Sequence, residues 1–329
     1  MAQKFSLKNA EQIRNSVTMQ QQKKIRKLYA ELYQDVTKRI ANMGNGNIQK
    51  QNLVLLQREL SVRIKQLSDD IQNGITNSMN IVSSAVVTDC RSFLKKCGFK
   101  DIDIHNAFRY IPDQIVRNIY TGNVYQNGWT FSDAIWRMEQ QTRGKINAIV
   151  SKGTAQGKSA YEVAKDIEQF VNPSAKKASR KIDFQKYKID KFGNVLKDAS
   201  GKPIIDTSAK KDVFYFGNVD YNAQRLARTL ISHAYQQSFR NVNEHDPFVK
   251  DYVWHSAGLH GRTCDICLDR DGKHFKKDEL PEDHPNGLCT YEAYIPDSMT
   301  DIARKIGMWY ESPYGTYPEI DRFALDFVS

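Results

Sequence analysis

The chain contains the sequence RTCDICLDRDG at residues 262–272 and DHPNGLCTYEAYI at residues 283–295, and these two stretches decide how its C-terminal part folds. Cys264 and Cys267 form a Cys-x2-Cys turn. Sixteen residues separate Cys267 from His284, and four separate His284 from Cys289. Zinc binds thiolate sulfur and imidazole nitrogen in a four-ligand shell, and a Cys-x2-Cys turn often supplies two of those ligands. The spacing therefore predicts a structural zinc site at Cys264, Cys267, His284 and Cys289.

Two alternatives to this ligand set remain open from the sequence. His255, His260 and His274 lie near enough along the chain to replace one of the four ligands. Without a metal, the cysteines would form a reduced turn, and the His-Pro step would end a hydrogen-bonded strand.

The same residues resemble the end of the Mu F-like family of phage head morphogenesis proteins, the minor head proteins of tailed phages. Members typically have an aromatic strand, an Arg-Thr-Cys-x-x-Cys turn, an Asp-Gly step and a closing His-Pro-Asn-Cys-Arg-Cys. Residues 262–267, 271–272 and 284–286 match this pattern in order and spacing. Gly287 and Leu288 stand where the pattern has Cys and Arg, which leaves Cys289 as the late cysteine.

Weaker matches lie upstream. Arg-Leu-Ala-Arg-Thr at 225–229, running into a helix, is similar to the family's helix before its first strand, and residues 130–136, 153–157 and 159–162 resemble its tryptophan helix, glycine turn and short helix. The resemblance covers roughly residues 105–295, with an unmatched insertion. It implies a non-enzymatic minor head protein that joins the procapsid at or near the portal vertex and assists head morphogenesis, DNA packaging or DNA delivery.

By the same resemblance, the partners would be the phage portal and other capsid proteins, and the location would be the virion or procapsid, assembled in the bacterial host cytoplasm. Two other functions are considered. The Cys-x2-Cys turn followed by Asp283-His284 also resembles an HNH-type nuclease, in which His284 would be the general base beside a catalytic metal. A stand-alone DNA-binding protein is the second alternative. No Walker loop, GxSxG motif or glycine-rich dinucleotide turn is present, and no small-molecule substrate is expected.

The positive charge is concentrated in two segments. Residues 1–45 contain nine basic and three acidic side chains, and residues 173–217 contain eleven and five. Clustered lysine and arginine predict contact with a polyanion such as double-stranded DNA, whereas the alternative is solvated charge that keeps the chain soluble. The candidate contacts are Lys23, Lys24, Arg26, Lys27, Lys176, Lys177, Arg180 and Lys181.

The first half of the chain predicts helices. Residues 10–43 contain no proline or glycine, and Leu28, Leu32, Val36 and Ile40 recur every four residues. A second run extends from 48 to 97, so the two form an antiparallel hairpin around the Gly-Asn turn at 44–47. The apolar stripe of the second run is Leu53, Leu56, Leu60, Val62, Ile64 and Leu67. Cys90 and Cys97 fall near one face of this helix and are predicted to be buried thiols.

Shorter elements follow. Helices are predicted at 104–108, 112–119, 131–151 and 160–170, with a capping box at Ser159 and Glu162 and with Trp129, Phe131 and Trp136 in the core. Residues 186–189 and 213–216 predict a β-hairpin inside a basic insertion. A helix is expected after Val219, then strands at 251–254 and 290–295 with a hairpin over 272–275, and a helix at 299–309.

The predicted fold class is α+β and predominantly helical, with a long helical hairpin and helical region followed by a small α+β domain that carries the zinc-binding turn. The predicted divisions are a helical domain at 1–172 (hairpin 10–97, short helices 104–172), a basic insertion or flap at 173–217 and a C-terminal α+β domain at 218–329. The N-terminus has no apolar signal-peptide core, and no apolar run approaches the roughly 20 residues that cross a bilayer, so no membrane association is expected.

Overall fold

A computed structural model describes residues 3–5, 7–42, 50–122, 130–171, 181–184, 196, 198–199, 204, 212–215, 219–258 and 263–327. It is predominantly helical, with a small antiparallel sheet. The helices are α1 (Lys8–Ala41), α2 (Lys50–Cys97), α3 (Asp101–Ile104), α4 (Ile111–Thr121), α5 (Phe131–Ala155), α6 (Ala160–Val171), α7 (Val219–Asn243), α8 (Asp265–Arg270), α9 (Met299–Glu311) and α10 (Pro318–Leu325). The strands are β1 (Gln3–Phe5), β2 (Lys181–Phe184), β3 (Asp212–Tyr215), β4 (Asp251–His255), β5 (His274–Phe275) and β6 (Thr290–Ile295).

Helices α1 and α2 form the predicted antiparallel hairpin. Near its closed end Arg63 pairs with Asp35 at 2.6 Å, and near its open end the Ala10 N–H donates to Asp89 at 2.8 Å. Apolar residues at four-residue spacing line the contact because that spacing places them on one face of each helix. The buried members of the two stripes are Leu32, Val36, Ile40, Leu56, Leu60, Ile64 and Leu67.

Two residues of the predicted apolar stripes are not fully buried between α1 and α2. Leu28 is half-buried against the core, and Val62 is 65% exposed, so its assignment to the stripe is wrong. Val62 stands two residues from Leu60 and from Ile64, a spacing that turns it to the opposite side of the helix. The side chain of Leu53 and the turn at 44–47 lie outside the described residues.

Helix α7 packs on both α1 and α2 and is buried along most of its length. Ala223, Leu230, Tyr235 and Phe239 belong to the same hydrophobic cluster as the hairpin stripes. The cluster therefore runs across the boundary predicted between the helical region and the C-terminal domain.

The sheet has the order β1-β6-β4-β5 and is antiparallel throughout. Strand β6 occupies its predicted span and buries Tyr291, Ala293 and Ile295 in alternation, because successive side chains of a strand face opposite sides. Strand β1, at the N-terminus, pairs Phe5 with Ala293. The sequence analysis did not predict β1, so the sheet joins the two ends of the chain.

The predictions for the shorter helices are partly wrong and partly confirmed. The helix predicted at 104–108 is instead α3, which ends at Ile104, and Phe108 takes a left-handed conformation with φ of 59°. Trp136 is 58% exposed on α5 and is not a core residue, whereas Phe131 is fully buried as predicted. The capping box is confirmed, because the Ser159 hydroxyl and the Glu162 carboxylate each bond the other residue's N–H. Trp129 lies outside the described residues.

Strands β2 and β3 form a two-stranded antiparallel ribbon in which Lys181 pairs with Tyr215. Strand β3 contains residues 213–215 of the predicted hairpin, but its partner is 181–184 rather than 186–189, and 186–189 lies outside the described residues.

The C-terminal helices cover the open end of the hairpin. The ring of Phe99, just after α2, lies 5.1 Å from that of Phe327 and 6.1 Å from that of Phe323 in edge-on contacts. The Lys100 N–H donates to the Tyr310 hydroxyl at 3.0 Å. Across the described residues, every helix is too short or too polar to span a membrane.

Candidate metal centre

The turn between β4 and α8 brings the first two cysteines together. Cys264 is the N-cap of α8, and its sulfur accepts the Cys267 N–H at 3.5 Å. A side chain that accepts an N–H of the first helical turn stabilises the start of a helix, and here a sulfur does so in place of the usual oxygen. Cys267 itself is 1% exposed and points into the protein.

Two overlapping groups of donor atoms meet at this turn. Those of Cys264, Cys267 and His284 lie within 4.8 Å of one another, and so do those of Cys267, Asp283 and Cys289. Donors of a tetrahedral zinc with Zn–S bonds of about 2.3 Å stand about 3.8 Å apart, so both groups are compact enough for one ion. Three of the four predicted ligands, Cys264, Cys267 and His284, therefore lie in one group, and the fourth, Cys289, lies with Asp283 in a second group that shares only Cys267 with the first.

The orientation of the His284 ring gives its two nitrogens different roles. Its Nδ1 lies 3.0 Å from the Pro285 carbonyl oxygen, which can accept only if Nδ1 carries the proton. A ligating histidine commonly donates its second nitrogen to a carbonyl in this way, and Nε2 is left for the metal.

Cys264 and His284 also change each other's protonation. Hydrogen bonding to Cys264 raises the pKa of His284 to about 9. A hydrogen bond from Cys267, followed by that of His284, lowers the pKa of Cys264 to about 3, whereas the pKa of Cys267 is raised. At neutral pH a Cys264 thiolate thus faces a protonated His284, and a metal ion that bound here would displace the proton from His284 Nε2.

Asp283 is a buried carboxylate that the sequence analysis did not assign to the metal set. One oxygen accepts the His284 N–H and the other accepts the Cys289 N–H, both at 2.9 Å, and the Cys267 sulfur lies 3.8 Å from the first. Buried carboxylates are rare unless they are paired or bind a metal. Its position beside His284 is a signal that could have identified it.

Gly287 provides the room for that carboxylate. A Cβ atom at residue 287 would lie 2.0 Å from an oxygen of Asp283, closer than non-bonded atoms can approach. The preceding residue, Asn286, has φ of +69°, so the chain turns sharply here. Asp283 occupies the space into which a side chain at 287 would project.

Two helices hold the loop that carries Asp283, His284 and Cys289. Arg14 of α1 donates to the Cys289 and Leu288 carbonyls at 3.2 and 3.3 Å. On α7, the Thr229 hydroxyl accepts the Asn286 N–H at 2.8 Å. The candidate centre is therefore attached to the hairpin as well as to the sheet.

Among the residues that the structure describes, the remaining candidates are not part of the centre. His255 pairs with Glu292 at 3.0 Å and His274 with Asp251 at 2.7 Å, so each has another partner, and His260 lies outside the described residues. The four candidate basic residues of α1, at 23, 24, 26 and 27, are exposed around the buried Ile25, and Lys27 lies 3.6 Å from Glu31. Lys176, Lys177 and Arg180 lie outside the described residues, and the backbone of Lys181 belongs to β2.

Comparison of the chain with family models, with curated proteins and with solved structures found no match. The resemblance to the Mu F-like family therefore depends on the residues quoted for it, and it stays a prediction.

Proposed function

We propose that this chain is a minor head protein of a tailed phage or prophage whose C-terminal part is stabilised by one structural zinc ion. The observation that supports it best is that separate pieces of the resembling pattern contact each other. Thr229 bonds Asn286, and Cys264 and Cys267 lie beside His284. Residues up to about sixty positions apart thus form one site, which is what a shared structural motif requires.

The donor set favours a structural ion over a catalytic one. Structural zinc sites are closed by four protein ligands, whereas catalytic sites keep one position for water or substrate. Cys267, Asp283 and Cys289 form a fully buried group, and Cys267 also belongs to the group of Cys264 and His284, so five donor residues surround this turn. His284 would then bind the metal instead of acting as the general base of an HNH nuclease. We therefore favour a non-enzymatic role.

The hairpin is the proposed docking surface for portal or capsid proteins. Helix α2 has 48 residues, which corresponds to about 72 Å at about 1.5 Å per residue. Leu55 and Val62, two turns apart on it, are 60% and 65% exposed. These two exposed apolar side chains are the proposed contacts for a protein partner, and the exposed Lys23, Lys24, Arg26 and Lys27 of α1 suit a polyanion such as the packaged DNA.

Quantitative mass spectrometry of particles from an induced lysate of the source strain tests the proposal. DNA-filled heads and empty procapsids would be separated, and the copies of this chain per portal ring would be counted in each. We expect a few copies per head in wild type and a loss of incorporation in Cys267→Ser. Cys97→Ser is the matched control, because Cys97 is a buried cysteine outside the centre. Absence of the chain from both particle types would contradict the proposal.

A further inference from the structure

A cavity of about 320 Å³ lies beside the candidate metal centre, between α1, α7 and the ends of β4 and β6. One face of α1 lines it with Glu11, Arg14 and Thr18, and α7 contributes Arg228. Leu288 and Thr290 form the side next to the cysteine loop. The cavity is distinct from the metal donors, none of which lines it.

Arg14 brings a buried positive charge to this cavity, and no carboxylate of the described residues forms a salt bridge with it. It is 1% exposed, and its hydrogen-bond partners among the described residues are neutral oxygens, those of Leu288, Cys289 and Asn15. Its guanidinium also lies 4.8 Å from the centroid of the Tyr235 ring. Buried charges are normally paired, because desolvation of an isolated ion is costly.

Two further donors at the cavity have no partner among the described residues. The Thr18 hydroxyl belongs to a side chain that is 5% exposed, and the Arg228 Nε is buried. Burial lowers the pKa of Arg228; the charge of Asp283 opposes this effect, and the charge of Arg14 adds to it. An unsatisfied buried donor has a free-energy cost that a ligand can remove.

The charged side chains at and near the cavity indicate which kind of ligand it can bind. Glu11 acts on Arg14, and Asp283 acts on both arginines from the metal centre, where its oxygens accept the N–H groups of His284 and Cys289. Two guanidinium groups therefore line the cavity beside one carboxylate, that of Glu11. Two arginines and a hydroxyl, which approach from two helices, suit a tetrahedral oxyanion that accepts hydrogen bonds in several directions.

We infer that this cavity binds a phosphate group, with Arg14, Arg228 and Thr18 as its donors. The phosphate comes either from a free phosphate ion or from a nucleic-acid backbone. The inference does not depend on the proposed head function, because it concerns binding by the isolated chain.

Calorimetric titration of the full chain with inorganic phosphate, at an ionic strength held constant with potassium chloride, tests this inference. Arg228→Gln should weaken phosphate binding about tenfold, since a lost hydrogen bond to a charged group is worth about 1.4 kcal/mol or more. Arg304→Gln is the control, because it removes the same charge from an exposed position on α9. Binding equal to wild type in Arg228→Gln and in Thr18→Val, or no heat above the chloride control, would overturn the inference.

Thr18→Val separates a ligand-binding role from a packing role. It removes an unpaired hydroxyl and keeps the shape, so the melting temperature without phosphate should rise while phosphate affinity falls. A short single-stranded oligothymidylate then identifies the source of the phosphate. If Arg228→Gln weakens binding of the oligonucleotide, and phosphate displaces the oligonucleotide from the wild-type protein, the cavity binds a nucleic-acid backbone. If the oligonucleotide binds equally well to wild type and variant while phosphate does not, the ligand is free phosphate.

Discussion

At the scale of single residues, the loop from Asp283 to Cys289 shows how one small residue supports a polar cluster. Asp283 accepts the N–H groups of His284 and Cys289, and Gly287 leaves space for its carboxylate. The sequence predicted four donors from their spacing, but spacing says nothing about which neighbouring carboxylate turns inward. That choice depends on the conformation of the loop, including the positive φ of Asn286.

Gly287→Ala is expected to destabilise the protein by about 1–3 kcal/mol, the usual cost of forcing an extra methyl group into a packed site. The methyl group would meet the Asp283 carboxylate, so the loop must shift. Urea unfolding of the full chain measures the effect. Gly144→Ala on α5 is the control, because a Cβ there meets nothing within 4 Å and should stabilise the helix by about 0.5–1 kcal/mol. Equal effects of the two substitutions would disprove the assigned role of Gly287.

Asp246 predicts a pH dependence of stability. Burial raises its pKa from 3.8 to about 6, so the folded state holds the proton more tightly than the unfolded state. Its contribution to stability is therefore present at acidic pH and is lost as the pH rises from about 4 to about 6. Asp246→Asn keeps an oxygen acceptor for the Phe248 N–H and removes this titration.

The test compares unfolding free energies of wild type and Asp246→Asn at several pH values. The advantage of the variant should grow between pH 4 and 6 and then level off. Other titrating groups, including those of the metal centre, contribute equally to both proteins. A constant difference across this range would contradict the assignment.

At the scale of elements, the sequence predicted what depends on local pattern and missed what depends on distant contacts. Helices α1 and α2 follow from long runs with four-residue apolar spacing, and β6 follows from strict alternation. Strand β1 has three residues and is held by pairing with β6, almost three hundred residues away, so no local pattern predicts it. Trp136 was expected in the core with Phe131, but its position on α5 faces outward.

Phe5→Ala is expected to destabilise the protein by about 3–5 kcal/mol, the usual cost of removing a buried phenylalanine. Phe5 is 7% exposed and stacks on Phe93 of α2 with ring centroids 4.2 Å apart, so it joins β1 to the hairpin. Chemical denaturation measures the change. Tyr314→Ala, at a position that is 83% exposed, should change stability little. A similarly small effect for Phe5→Ala would show that β1 does not contribute to the sheet.

At the scale of the whole molecule, residues from the two ends of the chain and from its middle contribute to the same hydrophobic cluster and sheet. The hydrophobic cluster includes Ile25 and Ile64 of the hairpin, Leu230 of α7 and Tyr291 of β6. Arg14 bonds the cysteine loop from α1, and β1 completes the sheet. The sequence pattern placed a domain boundary between residues 172 and 218 because composition changes there, but composition does not report which helices pack together.

This continuity predicts that a fragment of residues 218–329 will not fold alone, even with zinc. Without the hairpin, α7 would expose Leu230 and Phe239, and β6 would lose its β1 partner. We expect poorly dispersed amide resonances for the fragment and well-dispersed ones for the full chain. A dispersed spectrum from the fragment would support the independent domain that was predicted from the sequence.

The metal content of the full chain, purified without chelator after expression with added zinc, tests the proposed metal centre directly. We expect one zinc per chain by elemental mass spectrometry, retained in Cys97→Ser and lost in Cys267→Ser. Replacement by cobalt should give the absorption of a tetrahedral, thiolate-bound ion. If the wild-type protein contains no zinc and shows no thiolate-to-cobalt absorption, the proposal of a structural metal centre is wrong.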